Sequence, residues 1–137
     1  MKTYTIELSE RQIRMVSESL EFTSRFICGQ VGTNYWPSDA LRHENMNTEQ
    51  DFQDYMTRRD LMDHLMDAVK MVGWKMKPNS YQGIGYNKNA DTLYDMHKVI
   101  NYVLWNDQSD EDKRLTRHSR SSDKPLKHGE EPLIVVK

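Results

Sequence analysis

Three stripes of apolar residues at helical spacing, each opened by a capping residue, constrain this chain more than any other feature. Ser9 followed by Gln12 is a capping box, in which the serine takes the N3 amide and the glutamine reaches back. A first helix is therefore predicted from Glu10 to Cys28, with Ile13, Val16, Leu20, Phe26 and Ile27 as its buried stripe. Gly29 and Gly32 end it. Thr48 caps a second, long helix, with Glu49 and Asp51 favourable in the first turn. Its stripe is Phe52, Tyr55, Met56, Met62, Leu65, Met66, Val69 and Val72, and it stops at Gly73, a natural C′ residue. Asn89 is the expected cap of a third helix, whose apolar side is Leu93, Met96, Val99, Ile100, Val103 and Leu104.

The two chain ends have a different period. Thr3-Tyr-Thr-Ile-Glu-Leu8 alternates and is β-branched, and Pro132-Leu-Ile-Val-Val136 is strand-like. Pairing these two segments, within a chain or between chains, gives an α+β fold: three main helices with a small antiparallel sheet. Between them, Asn106 to Glu131 is almost free of apolar residues and reads as an extended arm. From Lys113 to His128 the arm carries six positive residues against Asp123 alone. The whole of 1–137 is expected to be one ligand-binding domain, and no internal repeat is visible.

Composition narrows the function classes. Only 36% of the residues are hydrophobic and 29% are charged. A core this thin is completed most simply across a subunit interface, so a homo-oligomer is expected. The net charge of −2 favours neither a membrane surface nor a nucleic-acid polymer. Cys28 is the single cysteine, which excludes an intrachain disulfide and fits a reducing compartment. No apolar run approaches 18 residues, and MKTYTIELSE has no leader-like apolar region. The sequence therefore predicts a cytoplasmic protein.

The candidate chemistry lies in the loop Asn79-Ser-Tyr-Gln-Gly-Ile-Gly-Tyr-Asn87, which feeds the third helix. Gly83 and Gly85 let backbone approach a ligand. Tyr81 offers a stacking face with a polar tip. A helix N-terminus offers free amides and partial positive charge. The same residues also make a sound turn whose tyrosines cover a helix junction. Arg25 is either a planar phosphate donor or half of an exposed Glu21–Arg25 pair, worth a few tenths of a kcal/mol. The arm residues Arg114, Arg117, Arg120, Lys124 and Lys127 around His118 can meet a phosphorylated molecule, or can simply be solvated. The acidic group Asp107, Asp110, Glu111 and Asp112 beside them counts against a nucleic-acid polymer.

Hydrolysis is the alternative chemistry. Glu18 with Glu21, and Asp60 with Asp63, are i, i+3 carboxylate pairs of the kind that hold Mg²⁺ in helical nucleotide hydrolases, and His64 and Asp67 extend the second pair. Such spacings are frequent on exposed helices, and HExxH, CxxC and histidine clusters are missing. No metal and no cofactor is therefore expected. Cys28 sits in an apolar stretch without a base nearby and reads as a small buried hydrophobe.

In order along the chain stand Glu10-Arg-Gln12, Ser19-Leu-Glu-Phe-Thr-Ser-Arg25, Gly29-Gln30, Asn79-Ser-Tyr81 with Gly83-Ile84, Tyr94-Asp-Met-His-Lys-Val-Ile100 and Pro132-Leu-Ile-Val135. This succession resembles the plan of the first-described Thoeris anti-defence family. Its members are small phage proteins that sequester a cyclic ADP-ribose-type immune signal without cleaving it, and similar proteins also hold cyclic oligonucleotides. The resemblance implies a non-enzymatic sponge in the host cytoplasm. It also implies a helical α+β protomer, assembly as a dimer or trimer of dimers, and pockets built from two chains. The family's arginine falls on Arg25 and its loop aromatic on Tyr81. The site expected on this basis is Arg25, Asn79, Tyr81, Gly83, Ile84, Asn101, Arg117 and His118. Tyr81 would stack on adenine, Arg25 and Arg117 would neutralise phosphates, and Asn79 and Asn101 would read ring or ribose edges. Two departures stand out: Gln82 is inserted before Gly83, and Asn101 stands where the family pattern has arginine. A protein-binding phage accessory that blocks a host factor through arm and loop is the remaining alternative.

Overall fold

The structure, a computed structural model, describes residues 4–36, 47–115 and 124–136. Its elements are α1 (Glu10–Ile27), a 3₁₀ turn (Thr33–Tyr35), α2 (Glu49–Gly73), α3 (Lys88–Asn106) and α4 (Asp110–Leu115). The expected capping box at Ser9 and the expected cap at Thr48 both form, and Thr48 also turns out to be a capping box. Ser9 with Gln12 closes the start of α1, and Thr48 with Asp51 closes the start of α2. Gly29, at φ +74°, ends α1, with Gln30 donating its amide to the Arg25 carbonyl at 2.9 Å. Two boundaries move. The cap of α3 is Asn87, whose side chain accepts from the Asn89 and Ala90 amides. Gly73 is the last residue of α2, and the left-handed position after it is taken by Lys75 at φ 53°. No helix among the described residues is long and apolar enough to cross a membrane.

The expected α+β class is corrected: the described residues are helical, with no strand and no sheet. Residues 4–8 and 132–136 have no regular structure, and no backbone hydrogen bond joins the two segments. An isolated two-stranded ribbon is marginal in water unless one face is buried, and Ile6 is 76% and Val135 80% exposed. Pro132 has also lost its donor. The two ends instead converge on a cleft beside α1 and α3, which Leu8 and Val136 line. Thr3 lies outside the described residues. The arm is corrected in part. Its acidic beginning is α4, with Ser109 accepting from the Asp112 amide, while residues 124–128 have no regular structure and residues 129–131 bend.

The centre is the antiparallel pair α1–α3. Ser17 meets His97 and Asn101, while Ser24 donates to the Ala90 carbonyl at 2.8 Å. These small side chains let the helices approach closely. The buried face of α1 therefore runs Ser17, Ser24 and Cys28, with Ile13 and Leu20 half-buried; Val16, expected in the stripe, lies outside it. The apolar core is Cys28, Val31, Ala90, Val99 and Ile100. Helix α2 joins through few points. The Trp74 ring packs edge-on against Phe26 at 4.9 Å, its Nε1 donates to the Ile27 carbonyl, and Asp63 accepts from the Thr33 amide and hydroxyl at 2.6 and 3.0 Å. The outer side of α2 is left open, with Leu61, Leu65, Val69 and Val72 between 46% and 83% exposed.

Candidate ligand-binding loop and its polar support

The loop from Lys77 to Asn87 is held by its backbone and shows its side chains to solvent. Ser80 turns back on the Lys77 carbonyl with both amide and hydroxyl, and Asn79 adopts φ 54°. The Gln82 amide donates to the Cys28 carbonyl at 2.9 Å. The Gly85 amide, at φ +89°, donates to both oxygens of Asp91 at 3.1 Å. On this fixed frame Tyr81 is 61%, Ile84 59% and Tyr86 50% exposed. A Cβ at Gly83 or Gly85 would meet nothing within 4 Å, so both glycines border open space.

Arg25 reaches the same loop from α1. Its Nε and Nη2 donate to one Glu21 oxygen at 2.9 and 2.7 Å, and its Nη1 donates to Gln30 Oε1 at 2.7 Å. Gln30 in turn donates to the Gln82 carbonyl at 3.2 Å. The guanidinium lies 4.8 Å from the Tyr35 ring centre. Arg25 is thus neither the exposed surface pair nor a free phosphate donor of the two sequence alternatives. It is a half-buried strut that ties α1, the 3₁₀ turn and the loop together.

Asn101 is placed elsewhere, in a polar cluster inside the α1–α3 seam. The Ser17 hydroxyl donates to Asn101 Oδ1 at 2.8 Å, and Asn101 Nδ2 lies 3.1 Å from His97 Nε2. His97 Nδ1 lies 3.0 Å from the Ser17 carbonyl, which fixes the neutral tautomer with the proton on Nδ1. Burial holds the His97 pKa below the usual histidine value. The Glu21 carboxylate, 3.5 Å away, and the hydrogen bond to the Ser17 backbone oppose that, while Lys98 and Arg25 add to it. Burial, then the Asp91 charge, raises the Cys28 thiol above its ordinary value, so it stays protonated.

Asp95 repeats the device of Asp91 one turn on. Its Oδ2 accepts from the His128 and Gly129 amides at 2.8 and 2.7 Å, while its buried Oδ1 has no partner. This grip, with an exposed Lys88–Glu130 ion pair, straps residues 124–131 across α3.

Of the expected site residues, the structure brings Arg25, Asn79, Tyr81, Gly83 and Ile84 to one loop and its support. Asn101 faces Ser17 and His97 in the seam, and Arg117 and His118 lie outside the described residues. Gln30, Tyr35, Asp91 and His97 were not expected in the site. The available signal was a polar residue at a core spacing: His97 stands four residues after Leu93 and three before Ile100, on the side of α3 read as apolar. The acidic pairs are dispersed in use. Glu21 holds Arg25 and Asp63 holds Thr33, and among the described residues no group of three His, Cys, Asp or Glu is arranged to hold a metal ion. Two open clefts, of about 410 and 470 Å³, lie at the other end of α1 around Glu10 and Arg14. No family model matches the chain, and no curated protein or solved structure matches it either.

Proposed function

We propose that the protein is a non-enzymatic binding protein that sequesters a cyclic nucleotide signal of the cyclic ADP-ribose type, with the Tyr81–Tyr86 loop as its ligand face. One observation carries this reading. Tyr81, Ile84 and Tyr86 stand in solvent on a backbone fixed to Cys28, Gln30 and Asp91. Exposed large side chains on a held loop lose little entropy when a planar ligand stacks on them. The family resemblance adds the ligand class. The proposal includes assembly of two or more copies, supported by the uncovered stripe of α2.

The test is calorimetry with cyclic ADP-ribose isomers and with cyclic di- and trinucleotides. Stacking on one ring contributes about 1–3 kcal/mol, so Tyr81→Ala should weaken binding by roughly tenfold or more. Heat-denatured complex should release the ligand intact, because sequestration breaks no bond. No heat with any of these ligands sinks the proposal, and cleaved ligand replaces it with hydrolysis.

A further inference from the structure

We infer that the loop takes its ligand by the base and leaves the phosphates in water. The inference rests on the reading of the loop as a nucleotide face, and it narrows what that face recognises. Among the described residues two places in this region can attract an anion, and the protein's own acceptors occupy both. The first is the α3 N-terminus, where unpaired amides and the helix dipole favour negative charge. Here the Asn87 side chain accepts from the Asn89 and Ala90 amides at 3.0 and 3.1 Å, and the Asn87 carbonyl accepts from the Asp91 amide at 3.0 Å. The Gly85 amide in the preceding loop is spent on Asp91, which is 5% exposed and charged, so an arriving phosphate meets a like charge.

The second place is Arg25. A guanidinium recognises phosphate with two parallel N–H groups. In Arg25 the Nε and Nη2 edge is committed to Glu21, Nη1 to Gln30, and one face to Tyr35. Three of its five N–H groups are used in this way, and a phosphate that met the remaining two would lie beside the Glu21 carboxylate. What the loop still offers is the exposed faces of Tyr81 and Tyr86 and the side chain of Ile84. These match an uncharged heteroaromatic ring. The lysines nearest in the chain are Lys77 and Lys88; both are exposed, Lys88 is paired with Glu130, and they hold an outward phosphate only through screened attraction.

Competition calorimetry with the full chain separates the outcomes. Cyclic ADP-ribose is titrated alone, then against adenosine, 5′-AMP and inorganic pyrophosphate. Adenosine is expected to bind within about tenfold of 5′-AMP and to displace cyclic ADP-ribose, while pyrophosphate does neither. Raising salt from about 50 to about 500 mM, which shortens the screening length more than twofold, should weaken cyclic ADP-ribose by less than about threefold. Binding of cyclic ADP-ribose that pyrophosphate displaces, adenosine does not, and salt weakens more than tenfold overturns the inference and leaves the proposed function standing. Silence of every nucleotide probe overturns both.

Discussion

His97 shows how one residue in a thin core ties stability to pH. It is 7% exposed, neutral, and hydrogen-bonded to Ser17 and Asn101. Because burial lowers its pKa, the unfolded chain takes up a proton that the folded chain refuses as the pH falls below about 6.5. The stabilising effect of a neutral His97 is therefore complete above that pH and is lost as pH falls toward the folded-state pKa. Urea unfolding should show the midpoint declining from about pH 7 to pH 5.5, and His97→Gln should flatten that decline. An equal slope in both proteins would remove His97 from the account. Cys28, at the loop end of α1 near Asp91, is a buried, protected thiol, as its apolar sequence surroundings suggested. Arg25 departs from both of its sequence readings, because Gln30 and Tyr35 meet it only after the chain turns at Gly29.

At the scale of elements, α3 is a rail for loops. Asn87, Asp91 and Asp95 stand four residues apart on it, and each accepts amides from backbone nearby. Asn87 completes the helix start, Asp91 holds Gly85, and Asp95 holds His128 and Gly129. The strap is the most exposed to substitution. A Cβ at Gly129 would sit 2.7 Å from both the Cα and the amide nitrogen of Thr92, which are backbone atoms and cannot rotate away. Gly129→Ala should destabilise by about 1–3 kcal/mol. It should also lift residues 124–131 from α3, read as faster tryptic cleavage at Lys124 and Lys127. Unchanged cleavage would mean that the strap is held without the close approach at Thr92. The Asn89 cap read from sequence failed for a related reason. Asn87 and Asn89 both have capping side chains, and the Gly85–Asp91 contact decides where the loop ends and the helix begins.

At the scale of the whole molecule, α2 is a helix about 37 Å long by its 25 residues, with apolar residues on two sides. One side meets the 3₁₀ turn and Phe26. The other carries Leu61, Leu65, Ala68 and Val72 at spacings of four, three and four, a seam that packs on a like helix. In the proposed assembly a second copy covers this surface. Light scattering should show an assembly larger than the 16.3 kDa chain, and Leu65→Glu should shift it to monomer with helicity retained. A wild-type chain that is monomeric at every concentration would sink the assembly reading. The sequence by itself determined the helices: the capping box at Ser9, the cap at Thr48, the stop at Gly29 and the apolar periods are local physics, acting over three or four residues. It also marked the Tyr81 loop as the place to look. Only the tertiary structure decided that residues 4–8 and 132–136 form no sheet, that Ser17 and Ser24 rather than Val16 face α3, and that Glu21 holds Arg25 while Asn87 closes the start of α3. Those outcomes depend on partners up to 84 residues away. An extended segment becomes a strand only where another offers its edge, and a charge is free only where no buried neighbour has reached it first.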